Sequence, residues 1–139
     1  MPKTISLKGD GVQKERKANA AITPGDLVEI MSTGNLRRHA TIGQAAQRAF
    51  AVEQDLIGRG IDDDYAANES ARYKVFPPGA EVYAWLVTGE SCSIGDVLES
   101  AGNGKLQVGS TPIEGSNVGI ALEAITGGGS PKRIKIEIL

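Results

Sequence analysis

Apolar and polar residues alternate in several short runs of this chain, with the period of two that is typical of β-strands with one buried face. The clearest run is 133–138, where three isoleucines alternate with charged residues. Residues 81–88 form the most aromatic run, and both of its faces are apolar. A strand of this kind is expected to be covered on both faces, either by two layers of one domain or by one layer and a partner subunit.

Glycine and proline separate these runs. The chain has 18 glycines and 6 prolines among 139 residues, and only 4% of its residues are aromatic. Between 43 and 50 the composition allows a single helical turn, and no other segment favours a helix. We therefore predict an all-β protein, a compact β-barrel or sandwich of eight to ten short strands.

Part of the pattern occurs twice, with a constant spacing between the copies and no gap in the alignment. The matching segments are 24–29 and 94–99, 34–36 and 104–106, and 50–53 and 120–123. Each copy contains a Gly-Asp turn, a strand, a reversal at glycine and two further strands, and glycine supplies the positive φ that tight reversals need. A match at a fixed period indicates a repeated structural unit. We predict two related hairpin units, at about 22–54 and 92–124, within a single β domain that spans 22–139.

Residues 1–21 are predicted to form an extended, basic N-terminal arm that buries little of the core. The segment has a short alternating run at 4–7, then a Gly-Asp-Gly break and a polar stretch. Its formal charge is +3, because it carries two acids, Asp10 and Glu15, against five bases. A solvated, partly mobile terminus is the alternative interpretation. The five basic residues are Lys3, Lys8, Lys14, Arg16 and Lys17.

Composition argues against several classes of protein. The net charge of −2 does not favour binding of nucleic acid. Cys92 is the only cysteine, so no internal disulfide can form, and a small buried hydrophobic role is expected for it. Residues 1–4 lack the apolar stretch of a signal peptide, and no run approaches the length of a membrane span. We expect a protein without a membrane or nucleic-acid partner.

No residue pattern favours catalysis. His39 is the only histidine and, between arginines and an alanine on a predicted strand, is expected to be exposed or at an edge. The acidic run 62–64 lacks the spacing of a calcium-binding loop and is expected to be solvated. We predict no enzyme activity, no metal and no cofactor. Four glutamates recur at equivalent repeat positions and are expected to face solvent or to pair with basic residues: Glu29, Glu53, Glu99 and Glu123.

The order of these elements resembles that of small capsid decoration (cement) proteins of tailed bacteriophages. The likeness covers roughly 20–125 and rests on structural motifs, namely Thr-Pro-Gly-Asp-Leu-Val at 23–28, Gly-Asn-Leu at 34–36, Arg-Ala-Phe-Ala-Val-Glu at 48–53 and the strand at 82–86. It implies a structural protein that binds the outer surface of an expanded phage head and stabilises the capsid against internal DNA pressure. It also implies synthesis in the host cytoplasm, a place on the virion capsid surface, the major capsid protein as partner and self-association as a homotrimer.

Contacts with the capsid or between subunits are expected at the basic residues of the arm and at the aromatic strand. The predicted contact residues are Lys3, Lys8, Lys14, Arg16, Lys17, Tyr83 and Trp85. A small-molecule or carbohydrate-binding β-barrel, or an enzyme with its site at the barrel mouth, is the alternative. Tyr83 and Trp85 would then form the wall of the site, although few aromatic residues and no cluster of convergent polar groups support it.

Overall fold

Residues 2–110 and 113–139 are described by a computed structural model. They form eleven β-strands, one more than the upper end of the predicted range, and the all-β class is confirmed. The only helical segment among these residues is a 3₁₀ turn at Asp55–Ile57. The strands are β1 Ser6–Lys8, β2 Val12–Lys17, β3 Val28–Ile30, β4 Leu36–Arg38, β5 Ala49–Ala51, β6 Ser70–Val75, β7 Glu81–Leu86, β8 Val97–Ser100, β9 Leu106–Val108, β10 Asn117–Ala121 and β11 Lys132–Ile138.

Residues 43–50, whose composition allows a single helical turn, do not form one. Their backbone groups bond to distant segments instead, because the N–H of Gly43 donates to Ser100 O and that of Ala46 donates to Gly115 O. Isolated helical turns are marginal in water, so such tertiary hydrogen bonds decide the conformation.

The second half of the chain closes into a five-stranded barrel. The strands follow the order β7-β11-β10-β8-β9, and a parallel pairing of Leu86 with Leu106 joins β9 back to β7. Closure gives each of these strands two neighbours within the barrel, and β7 also pairs with β1 outside it. The isoleucines of β11, Ile134, Ile136 and Ile138, are buried in the core of this barrel, as their alternation predicts.

The first half of the chain repeats this topology with shorter pairings. Strands β2, β6 and β5 form one sheet, and β3 pairs with β4. Two isolated bridges connect these sheets, an antiparallel one between Leu27 and Phe50 and a parallel one between Ala18 and Leu36. A separate apolar cluster, which includes Tyr65 and Tyr73, fills the interior. The protein is thus a pair of related five-stranded units, here called the first barrel (12–75) and the second barrel (81–138).

The constant spacing of the sequence repeat also relates the hydrogen bonds of the two hairpins. Strand β3 pairs with β4 in the register that β8 keeps with β9, so that Val28 and Arg38 correspond to Leu98 and Val108. The N–H of Gly25 donates to Ala51 O, and its equivalent at Gly95 donates to Ala121 O, both at 2.8 Å. The two predicted hairpin units are therefore related in structure as well as in sequence.

The correspondence extends beyond the segments that match in sequence. Strand β6 has the place of β11, because it pairs with β5 as β11 pairs with β10. Strand β2 has the place of β7, since each is the outer neighbour of one of these strands. The bridge between Ala18 and Leu36 corresponds to the closing contact of the second barrel, with Ala18 at the place of Leu86 and Leu36 at that of Leu106.

The N-terminal segment is extended, as predicted, but it belongs to both barrels. Strand β1 pairs with β7, and β2 pairs with β6 along its whole length. The expectation that this segment buries little of the core is wrong for Ile5 and Ala18, which are fully buried. Ile5 packs with the core of the second barrel, and Ala18 with that of the first. The short alternation at 4–7 is therefore long enough to insert one core side chain.

Candidate partner-binding surface

Asp26 lies at the junction of the two barrels and is fully buried. Its carboxylate accepts hydrogen bonds from Arg38 Nε at 2.7 Å, from Lys105 Nζ at 2.8 Å and from the N–H of Thr23 at 2.8 Å. Lys105 comes from the tight hairpin of the second barrel, whereas the other partners belong to the first. A buried carboxylate is stable only when it is paired and hydrogen-bonded, and here the pairing joins the barrels.

His39 is part of the same junction, and the expectation that it is exposed or at an edge is wrong. The side chain is buried, with Nδ1 2.7 Å from Ser100 Oγ and Nε2 3.1 Å from Ala45 O. The backbone N–H of Gly104 also donates to His39 O. The second hairpin packs against the first and so covers His39, although most of the residues around it in the sequence are polar.

The repeated glutamates hold the hairpins rather than simply facing solvent. Glu29 accepts hydrogen bonds from Arg37 Nε and from the N–H of Ala40, at 2.8 and 3.0 Å. Its equivalent Glu99 accepts from Gln107 Nε2 and from the N–H of Ser110, both at 3.0 Å. Glu99 is fully buried, so the expected solvent-facing position is wrong for this copy. Both carboxylates satisfy a backbone donor beyond the second strand of the hairpin.

Trp85 lines a groove with an aromatic wall. The indole is half-buried, and its Nε1 donates to Pro24 O at 3.0 Å. Two cations lie against the ring, the Arg133 guanidinium at 4.3 Å and Lys105 Nζ at 5.4 Å from the ring centroid. Such contacts stabilise a cation on an aromatic face. The groove has a volume of about 410 Å³ and is lined by Asp62, Tyr83, Trp85, Ile125, Lys132 and Arg133.

Arg133 fixes one wall of this groove. Its guanidinium donates to Asp62 Oδ1 at 2.7 Å, to Pro24 O at 3.1 Å and, in a short contact, to Ile61 O. The side chain is only 8% exposed, whereas that of Asp62 is 87% exposed. The acidic loop at 55–69 is thereby held against the second barrel, with its carboxylates outside. The arrangement leaves an aromatic wall next to both positive and negative groups, which suits docking of a polar or aromatic partner group.

The predicted contact residues fall into separate groups. Tyr83 is buried and Trp85 is half-buried in the groove of the second barrel. Lys14, Arg16 and Lys17 lie on β2 of the first barrel, and all six residues of that strand are exposed. Lys3 is exposed before β1, and Lys8 lies 3.8 Å from Glu81 at the end of β1. The structure therefore offers two candidate surfaces, the Trp85 groove and the basic strand β2.

Two further ionisable groups, Cys92 and Asp55, have pKa values that their surroundings shift. Burial raises the pKa of the Cys92 thiol, which disfavours the thiolate that reacts or binds metal. A hydrogen bond from Arg72 lowers the pKa of Asp55, so this loop carboxyl stays ionised at neutral pH. Within 2–110 and 113–139, no group of three or more metal-ligating side chains comes together. No helix in this part of the chain is long and apolar enough to cross a bilayer.

The described part of the chain thus contains one closed five-stranded barrel and a second five-stranded unit of related topology. No known protein family and no curated protein matches its sequence. Among solved structures, the fold is similar to that of the N base of the head fiber protein gp8.5 of bacteriophage phi29, with a TM-score of 0.61. The two chains are 13% identical, and the similarity covers 92% of this chain and 93% of the other. At this identity the likeness shows a common fold.

We expect the Trp85→Ala variant to lose about 2–3 kcal/mol of unfolding free energy. Full removal of a buried aromatic costs about 3–5 kcal/mol, and part of this side chain is already in water. The variant also loses the hydrogen bond to Pro24 O and the cation contacts. Trp85→Phe, which keeps an aromatic face, is the matched control and should lose less than half as much. Equal losses in urea unfolding would contradict a role for ring packing.

Proposed function

We propose that this protein is a structural component of a tailed-phage virion that binds the outer surface of the expanded head and stabilises it against internal DNA pressure. The major capsid protein is its partner, and the protein assembles there as a homotrimer after synthesis in the host cytoplasm. It acts by binding, without catalysis or a cofactor.

One observation supports this proposal most directly. This chain shares its fold with the N base of a phage head fiber protein over 92% of its own length and 93% of the other chain. The sequence motifs at 23–28, 34–36 and 48–53 resemble those of phage decoration proteins independently of that comparison. A fold can host several functions, so the proposal needs a direct test.

The physical basis of the proposed role is linked binding. A protein that binds the expanded lattice but not the unexpanded one stabilises the expanded state by mass action, by about 2.7 kcal/mol per site at a hundredfold excess over Kd. A trimer would offer three copies of each surface, which raises the avidity without any single strong contact. The Trp85 groove and the basic strand β2 are the surfaces available for such contacts.

The test is co-sedimentation of the purified protein with heads of a phage whose genome encodes it. We expect saturable binding to expanded, DNA-filled heads and at least tenfold weaker binding to unexpanded heads. Decorated heads should also release their DNA at a higher temperature than undecorated heads. Equal affinity for both kinds of head, or no binding to either, would overturn the proposal. Sedimentation equilibrium of the free protein tests the trimer separately.

A small-molecule or carbohydrate-binding protein is the second candidate. The observation that favours it is the cavity of about 410 Å³ in which Tyr83 and Trp85 lie beside Asp62, Lys132 and Arg133. Small ligands bind in concave sites of this size, where apolar walls surround a few polar groups. A panel of mono- and oligosaccharides that raises the melting temperature of wild-type protein, but not of Trp85→Ala, would favour this function over the first.

A further inference from the structure

Strand β2 has one unpaired edge. It lies at the end of the order β2-β6-β5, and its inner edge pairs with β6 from Val12 to Lys17. The N–H of Ala18, the next residue in the chain, donates to Glu69 O, which lies on the β6 side. Because the N–H and C=O groups of successive residues point to alternate sides of a strand, those of Gln13, Glu15 and Lys17 point away from β6. No backbone hydrogen bond from the described residues reaches this outer edge at Gln13 or Glu15, whereas near Lys17 the parallel bridge between Ala18 and Leu36 brings β4 alongside.

The equivalent edge of the second barrel is covered. Strand β7 has the place of β2, and β1 pairs with its outer edge. There the N–H of Tyr83 donates to Ile5 O at 2.8 Å, and Ser6 lies opposite Val82. With Ala18 at the place of Leu86, Glu15 is the equivalent of Tyr83. The architecture of this chain therefore already shows an antiparallel strand added at the position that is empty beside Glu15.

The side chains of β2 indicate that the first barrel is open at the same place. Lys14 and Arg16 correspond to Val82 and Ala84, which are fully buried inside the second barrel. Both basic side chains are instead exposed, and Arg16 Nη1 donates to Gly34 O at 2.9 Å across the mouth. Two cations thus lie on the face where the second barrel has core residues, beside an unpaired edge.

We propose that the outer edge of β2 binds an extended, acidic segment of a partner protein, which adds to the first barrel as an antiparallel strand. Main-chain bonds to Gln13 and Glu15 provide the affinity, as in other cases of strand addition. Carboxylates opposite Lys14 and Arg16 provide the specificity, because opposite charges on facing strands attract. An acidic segment also neutralises the net positive charge of 14–17.

A second copy of β2 does not suit this edge. In the two registers centred on β2, antiparallel pairing about a twofold axis places Lys14 opposite Lys14 or Glu15 opposite Glu15. Like charges that lie directly opposite each other destabilise a strand pair. Basic residues on an edge strand also prevent pairing between identical edges, which is a common protection against aggregation. The occupant is therefore a segment of different sequence.

The test uses a short blocked peptide with Glu at the two positions that would face Lys14 and Arg16, and Thr or Val elsewhere. We expect amide hydrogen exchange at Gln13 and Glu15 to slow at least tenfold at saturating peptide, while the ladder amides of Lys14 and Arg16 are already slow in the free protein. A peptide with Lys in place of Glu should bind at least tenfold more weakly. No protection at millimolar acidic peptide, or equal binding of the two peptides, would overturn the inference.

Two variants identify the edge as the binding site. Glu15→Pro removes the outward N–H, and proline is tolerated on an edge strand where that group faces solvent. Glu15→Gln removes the same charge and keeps the N–H, so it is the matched control. We expect Glu15→Pro to weaken binding of the acidic peptide at least tenfold relative to Glu15→Gln. Equal binding by the two would place the peptide elsewhere on the protein and so overturn the inference.

A charge reversal covers the case in which Glu15→Pro fails to fold. In the Lys14→Glu, Arg16→Glu variant both changes are at exposed positions, so the fold should be retained. This variant should prefer the basic peptide over the acidic one, and an unchanged preference would overturn the proposed specificity. The peptide experiments involve no phage heads, so their outcome is independent of the proposed function.

Discussion

Asp26→Ala is expected to cost about 3–4 kcal/mol of unfolding free energy. The substitution leaves Arg38 and Lys105 without the buried carboxylate that now pairs with both, and removing one partner of a buried pair typically costs about 3–5 kcal/mol. Arg38 keeps some access to water, so the loss should lie toward the lower end of that range. Urea unfolding monitored by circular dichroism measures this difference.

The internal repeat provides the matched control. Asp96 occupies the same turn in the second hairpin, where it accepts a hydrogen bond from the N–H of Ser93 at 2.8 Å, as Asp26 does from Thr23. It has no ion pair among the described residues. Asp96→Ala should therefore cost only about 1 kcal/mol, the usual net value of one hydrogen bond. Equal losses for the two variants would show that the turn, and not the junction of the barrels, determines the cost at Asp26.

Part of this fold could be predicted from sequence because turn chemistry is local. The Gly-Asp pairs at 25–26 and 95–96 recur because each turn needs a positive φ and a carboxylate that caps a backbone N–H. Those requirements act on the same residue types in both copies. The constant spacing of the repeat and the all-β class followed from them, together with the alternation in β11.

The tandem barrels could not be predicted from sequence, because equivalent strands face different surroundings. Val82 and Ala84 lie in a closed core, whereas their equivalents Lys14 and Arg16 lie at an open edge. At these positions the backbone geometry repeats, but the type of side chain does not. The burial of His39 was missed for a related reason. It depends on Ser100, in a hairpin that is distant along the chain, and local alternation carries no information on such contacts.

The candidate surfaces were predicted only in part. Trp85 and Tyr83 could be singled out because aromatic residues are rare in this chain. The cations that flank Trp85 are distant in sequence, since Lys105 comes from the second hairpin and Arg133 from the last strand. Nothing in the sequence pattern indicated that both would converge on one ring. The open edge of β2 follows only from the order of the strands.

Deletion of residues 1–17 is expected to unfold the first barrel. It removes Ile5 from the core of the second barrel, at a cost of about 2–5 kcal/mol for a buried isoleucine. It also removes β2, so that β6 loses one of its two neighbours and the cluster around Tyr73 becomes exposed. Together these losses are comparable with the total stability of a small domain, about 5–15 kcal/mol. Amide hydrogen exchange in β5 and β6 should rise to near-random-coil rates in the truncated protein.

A variant that changes charge alone distinguishes an effect on folding from an effect on binding to the head. The Lys14→Gln, Arg16→Gln, Lys17→Gln variant keeps β2 and should unfold close to the wild-type midpoint, because exposed substitutions usually change stability by less than about 0.5 kcal/mol each. If the basic strand contacts the head, this variant should bind expanded heads at least tenfold more weakly, about 1.4 kcal/mol, and with less sensitivity to salt. A truncated protein with wild-type exchange in β6 would contradict the structural role of β2. A charge variant with unchanged head affinity would show that Lys14, Arg16 and Lys17 do not contribute to attachment.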